Sequence, residues 1–302
     1  MIISFLLTVL GLSVFEIVSS IDNAVINAEV LSTMSQRGKR WFLSWGLLCA
    51  LVLVRGLIPI VLIIVVAKPT GWWDFCHLLL GNQRSVAALT TAGPYLLSAG
   101  GTFLVLLFSH WLFREEKNLI NHKEQKMHGL RRGWEGIFSL TILSTALTLW
   151  LKLSLGLALV AGILIFLVGN FFKERAASQE KSLMTEGGSD IHKIIYLEII
   201  DAAFSVDGVL GAFAFTFSLP VILLGNGIGG LIVRQLTVKH VDAIKRYDYL
   251  KNGAMYSLGL LGILMLVESQ GFAVPSWVSP FSTIAIIGYF LLKPNVKNTG
   301  QL

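Results

Sequence analysis

Cysteine is nearly missing from this chain: Cys49 and Cys76 are the only two in 302 residues. Two thiols cannot build a disulfide framework, and no CxxC or Cys/His spacing points to zinc. Charge is scarce too. Asp, Glu, Lys and Arg make up 14% of the chain, against roughly a quarter in soluble domains, while hydrophobic residues reach 54%. That deficit excludes an ordinary water-soluble fold and reads as an integral membrane protein. HExxH, GxSxG, GxGD and P-loop patterns are absent as well, so no catalytic residue is assigned and an enzyme is not expected. The N-terminal stretch MIISFLLTVLGLSVFE lacks the basic region of a secretory signal. Its apolar run continues past any small-residue cleavage site, which predicts a retained first span.

What is present is a succession of apolar segments. A spanning helix needs about 20 largely apolar residues, and nine segments qualify, at 2–31, 41–67, 92–113, 134–150, 153–172, 191–217, 220–238, 252–270 and 278–292. The basic residues test this count. Alternate loops, together with the C-terminal tail, hold 19 Lys and Arg, whereas the opposite set holds Lys68, Arg84 and Lys152. The positive-inside rule then puts the N-terminus outside and the C-terminus in the cytoplasm of a multi-pass cell (inner) membrane protein. The formal charge of +6 is therefore topological, and a nucleic-acid partner is not expected. The bilayer is the partner that composition implies, while composition leaves the oligomeric state open.

These readings predict an all-α polytopic transmembrane bundle. Residues 1–113 form a first transmembrane repeat, 114–133 a cytoplasmic connector, and 134–172 a linking helix pair. A cytoplasmic linker at 173–190 leads into a second repeat at 191–270, and 271–302 supply a terminal helix and cytoplasmic tail. The stretch 71–91 is too polar around Gly81–Arg84 to span and is expected to be an external loop with a short interfacial helix. Residues 176–190, AASQEKSLMTEGGSD, have the composition of a flexible linker.

The informative feature is duplicated. Residues 16–23 read EIVSSIDN and residues 201–208 read DAAFSVDG, sharing the pattern [ED]-x-x-x-S-[IV]-D-[NG]. Glu16 corresponds to Asp201, Ser20 to Ser205, Asp22 to Asp207 and Asn23 to Gly208. Arg55 and Arg234 each follow 14 residues after the start of the next apolar segment. Five segments separate the two copies, so they cross the bilayer in opposite directions as two inverted three-helix repeats. Such repeats in transporters bring binding residues together near the midplane, often on locally unwound helices. At about 100° per residue, Glu16, Ser20, Asn23 and Asn27 share a narrow polar stripe from which Asp22 points away. A local break at both motifs is therefore expected, with Gly208 permitting it in the second.

A carboxylate at the centre of a spanning helix costs about 2.5–3.5 kcal/mol even on the lenient insertion scale, so Glu16, Asp22, Asp201 and Asp207 need partners. Three readings follow: the four carboxylates coordinate an ion, they neutralise Arg55 and Arg234 as a structural network, or they relay protons. Four carboxylates and two guanidiniums leave two negative charges, which one divalent cation or protonation would balance. Carboxylate, amide and hydroxyl oxygens suit hard ions such as Mn2+, Mg2+ or Ca2+. Asn27 extends the stripe as a supporting ligand. Glu29 reads as an exit-path or helix-end carboxylate, and Glu198 and Glu268, near segment ends, receive no role.

The two motifs resemble those of the TerC family of membrane proteins, within the lysine-exporter-type transporter superfamily. The first copy in that family typically reads E-x-x-x-S-x-D-N and the second D-x-x-x-[SA]-x-D-[SG], which EIVSSIDN and DAAFSVDG fit. The long charged connector at 114–133, and Gly208 offering no side-chain ligand where Asn23 does, mark a divergent branch. The resemblance implies a metal site of Glu16, Asp22, Asn23, Asp201 and Asp207; the repeat and the polar stripe add Ser20, Asn27, Ser205, Arg55 and Arg234 as supporting residues. The resemblance also implies export of Mn2+ as transported substrate, with no prosthetic group. The alternatives are a membrane scaffold or tellurite-type stress component whose buried charges are structural, and a proton-coupled carrier of another solute.

Overall fold

A computed structural model describes residues 2–46, 60–61, 71–79, 83–114, 131–185, 189–239 and 249–292. Arg55, most of segment 41–67, the connector from 115 to 130 and the side chain of Asp22 lie outside what is described.

The described elements are helices, and no strand occurs among the described residues. In chain order they are α1 (Ile2–Ser19), α2 (Ile21–Ser32), α3 (Gln36–Trp41) running into a π-helical turn (Phe42–Gly46), α4 (Trp72–Leu79), α5 (Gln83–Arg114), α6 (Arg131–Leu151), α7 (Leu153–Thr185), α8 (Asp190–Ala212), α9 (Leu219–Lys239), α10 (Leu250–Ser269) and α11 (Val278–Leu291). Among the described residues, five stretches are long and apolar enough to cross a bilayer: Ile2–Ser19, Thr90–Arg114, Gly133–Leu151, Leu153–Arg175 and Leu250–Ser269. Leu219–Gln235 and Val278–Leu291 are shorter apolar helices. The membrane class follows from where the apolar surface lies. On α6, Leu140, Ile142, Leu143, Leu147 and Trp150 point outward, Trp150 with 83% of its surface exposed. A helix apolar on its outer face suits lipid rather than water.

The protein core is built by α1, α5, α8, α9 and α10. Leu12 and Phe15 of α1 meet Leu97, Phe103 and Leu104 of α5, Val209 and Leu210 of α8, and Leu258, Leu261 and Met265 of α10. Helices α5 and α10 approach closely because Gly101 and Gly262 face each other: a Cβ on Gly101 would lie 2.9 Å from the Gly262 carbonyl oxygen. Small residues in GPYLLSAGG thus allow the backbone contact that drives packing in lipid.

Three expectations change. The span expected at 92–113 is found at Thr90–Arg114, but its helix already starts at Gln83, inside the stretch expected to be an external loop; the short helix expected in that loop is present as α4, with Trp72 and Trp73 exposed. The stretch expected to be a flexible linker from 176 is helical as far as Thr185. Ala, Gln, Glu, Lys, Leu and Met there are strong helix formers, and the helix ends just before the Gly187–Gly188 pair in sequence. Finally, segment 191–217 ends as a helix at Ala212 and continues through a turn.

Candidate functional site

The two motifs lie on α1–α2 and on α8, and their backbones differ. The first copy is interrupted: Ser20 sits between α1 and α2 at φ −89° and ψ 4°, while Ser20 N still donates to Glu16 O and Ala24 N to Ser20 O. The second copy is continuous, since α8 runs unbroken through Asp201–Gly208. The break expected in the first motif is found, at Ser20 rather than at Asp22; the one expected at Gly208 is not.

Gly208 has another role. Glu16 of the opposite motif rests on it, and a Cβ on Gly208 would lie 2.6 Å from Glu16 Oε2. Gly229 of α9 faces the Glu16 stem in the same way. Ser20 Oγ donates to Glu16 Oε1 at 2.6 Å. The carboxylate, 1% exposed as a residue, is therefore held among two missing side chains and a hydroxyl.

The contact has a counterpart. Asp201, which corresponds to Glu16, accepts a short hydrogen bond from Asn23 Nδ2, and Asn23 corresponds to Gly208. Each motif's leading carboxylate thus touches the last residue of the other. A second pair of contacts repeats the pattern. Ser13 Oγ donates to Gly225 O at 3.1 Å, and Glu198, 185 residues after Ser13, lies against Gly46. Gly46 and Gly225 occupy matching places in the two following apolar segments. Reciprocal contacts of this kind are what a pseudo-two-fold relation between duplicated halves produces.

Asn23, Asn27 and Asp201 are 3%, 9% and 8% exposed. Asn23 Oδ1, Asn27 Oδ1, Asp201 Oδ2 and Glu198 Oε1 are buried without a hydrogen-bond partner among the described residues. Buried oxygens in that state carry an unreturned desolvation cost. Arg234 sits 4.7 Å over the Phe42 ring with Nε and Nη2 likewise unpartnered. Its charge acts on both Asp201 and Glu198. Glu198, given no role from sequence, therefore belongs to this cluster. A buried amide on α9, Asn226, 2% exposed and without a hydrogen-bond partner at either end among the described residues, was also missed; its signal was an Asn in the middle of the apolar run LPVILLGNGIGG.

Asp207 has a partner that the sequence count left out. Lys173 Nζ of α7 lies 2.8 Å from Asp207 Oδ2, both side chains mostly shielded. Lys193, also counted as a loop residue, is buried and donates to Thr33 O at 3.2 Å and Thr33 Oγ1 at 3.0 Å, satisfying the end of α2. Adding Glu198 and Lys173 to the tally leaves the formal imbalance of two negative charges unchanged. Ser205 Oγ, unlike Ser20, turns to its own backbone at Asp201 O, 2.6 Å away. Among the described residues no three His, Cys, Asp or Glu side chains gather closely enough to hold a metal by themselves. The Asp22 side chain and Arg55 lie outside the described residues.

Over 157 residues, 49% of its length, the chain is 27% identical to the uncharacterized membrane protein YceF of Bacillus subtilis (strain 168) and spans about 61% of that protein's length. No solved structure matches. A family profile, that of the protein of unknown function DUF475, matches residues 21–301. This integral membrane protein belongs to the DUF475 family.

Proposed function

We propose that the protein carries a hard divalent cation, Mn2+ foremost, across the cell membrane and out of the cytoplasm, with the paired motifs as its binding site. One observation carries this reading: Asp201, Asn23 and Asn27 hold buried oxygen atoms that lack any hydrogen-bond partner among the described residues, and Asn23 of α2 bonds directly to Asp201 of α8. Oxygen-only donors favour Mn2+, Mg2+ or Ca2+ over copper and zinc. Among the described residues acidic side chains alone do not gather into a cage; on this reading Asn23 and Asn27 amide oxygens join Asp201, with Glu16, Asp22 and Asp207 as the further carboxylates. The reciprocal contacts between the halves support an inverted repeat, and the resemblance of both motifs to TerC proteins supports Mn2+ as cargo. Reconstitution in proteoliposomes with an Mn2+-sensitive dye inside tests the reading. Mn2+ flux through the wild type that is lost in Asp201→Asn supports it; equal flux in both refutes it.

Two contacts favour the structural alternative. The Lys173–Asp207 ion pair and the Asn23–Asp201 hydrogen bond neutralise or satisfy motif carboxylates without any ion. On that reading the substitutions that remove these groups lower stability and leave flux intact.

A further inference from the structure

We infer that the cavity beside Glu268 is a second cation site, where a hydrated divalent ion is held by one carboxylate and by hydroxyl oxygens. The inference rests on the proposed function in taking Mn2+ as that ion, and it adds a station beyond both motifs.

The cavity, of about 110 Å3, lies where the turn after α8, the end of α10 and the start of α11 meet. Its side-chain oxygens come from Glu268, Thr216, Ser276 and Ser279, its apolar walls from Phe213 and Phe217, and no basic residue lines it. The distribution of Lys and Arg places this end of the bundle outside. On the same topology only Asp74 and Glu268, of the 18 Asp and Glu residues, fall on that side. A carboxylate here is therefore unusual and calls for a physical account.

The charge of Glu268 is costly in three ways. The residue is partly buried, so part of its hydration is lost. It occupies the last turn of α10, where the helix dipole already concentrates negative charge and no basic residue offsets it. Its side chain makes no hydrogen bond or ion pair among the described residues. Ser279 adds an independent sign: it is 4% exposed and lines the same cavity, yet its hydroxyl makes no hydrogen bond among the described residues. A carboxylate and a buried hydroxyl left open on one cavity are compensated together by a cation. Hard divalent ions that keep several waters need only one or two carboxylates. At roughly 30 Å3 per water, the cavity admits such an ion with part of its shell.

The cavity also adjoins the first motif. Phe215 lines it, and the Phe215 ring lies 5.7 Å from that of Phe15. On α8, Phe15 rests at Gly211 and Glu16 at Gly208, one turn apart. A pair of rings thus stands between the cavity and the side of Glu16 that faces this end of the bundle.

The test uses the full chain in nanodiscs of neutral lipid. Carbodiimide labelling of Glu268 is read by peptide mass spectrometry, with Glu135, exposed at the start of α6, as the control. Millimolar Mn2+ should slow labelling of Glu268 severalfold and spare Glu135, whereas K+ and trimethylammonium at matched ionic strength should not. Ser279→Ala should need several times more Mn2+ for the same protection, and Asp201→Asn should keep the wild-type protection. In proteoliposomes Glu268→Gln, which preserves side-chain size, should raise the Mn2+ concentration for half-maximal flux severalfold; unaltered flux overturns the cavity's place on the ion's route. Labelling of Glu268 indifferent to Mn2+, or slowed equally by trimethylammonium, overturns the metal site, while the transport reading stands if wild-type flux is still lost in Asp201→Asn. Protection of Glu268 without any Mn2+ flux in the wild type keeps the cation site and removes the transport reading.

Discussion

Glu16 of the first motif rests against Gly208 of the second, with 2.6 Å between Glu16 Oε2 and the place a Cβ on Gly208 would occupy. The two residues are 192 positions apart in sequence, and their contact ties one half of the chain to the other. Gly208→Ala should therefore push the Glu16 carboxylate away from Ser20 and lower stability by about 1–3 kcal/mol, the usual cost of overpacking. Shortening the carboxylate in Glu16→Asp should recover part of that loss in the double variant. Thermal unfolding of the four proteins in detergent measures the coupling; additive effects would show that the contact has no energetic content.

Asp201→Asn preserves volume and an acceptor for Asn23, so the hydrogen bond between α2 and α8 should survive. The lost charge should weaken Mn2+ binding at least tenfold, which is about 1.4 kcal/mol, with little change in melting temperature. Calorimetric titration alongside unfolding decides it. A variant that melts several degrees lower yet binds Mn2+ normally would assign Asp201 to scaffolding.

Outside the membrane, Asp190 begins α8 and fastens it to the start of α3. Its carboxylate accepts from Ser35 Oγ and, at 3.2 Å, from Ser35 N. These bonds, the side-chain one foremost and aided by the nearby Lys193 charge, hold the Asp190 carboxyl below the ordinary aspartate range. A depressed folded-state value contributes stability above the unfolded value of about 3.9, and that contribution disappears as pH falls through the lower folded value. Ser35→Ala should thus melt below wild type at pH 6, with the gap closing as pH drops under about 4. A gap of constant size down to pH 3 would mean that the loss comes from the Ser35 cap on Gly38 N instead.

Leu143 lies 67% exposed on the outer face of α6. If that face meets lipid, Leu143→Arg should reduce insertion of α6 by about 2.5–3.5 kcal/mol on the insertion scale, whereas Leu143→Ala should insert almost normally. Glycosylation mapping of residues 131–151 in microsomes reads the fraction inserted. Equal insertion of the two variants would place the face against water or a partner.

The apolar spans and the duplicated acidic motif were legible because each rests on a local cost: about 20 apolar residues span a bilayer, and charge buried there is expensive wherever the chain goes. Those two facts alone determined that this is a helical membrane protein whose carboxylates at 16, 22, 201 and 207 are costly and need compensation. Which partner each carboxylate meets was decided by tertiary structure. Lys173 read as a loop lysine because nothing local tells whether a span-end ammonium turns outward to water or inward; its pairing with Asp207 depends on how α7 lies along α8. Gly208 read as a hinge because glycine alone permits a break, yet α8 stays straight and the missing side chain serves Glu16 from another helix. Glu198 looked like a residue near a helix end and became part of the Asp201 cluster once Gly46 and Arg234 were packed beside it. Local sequence sets what a residue costs; only the packing of distant helices sets who compensates it.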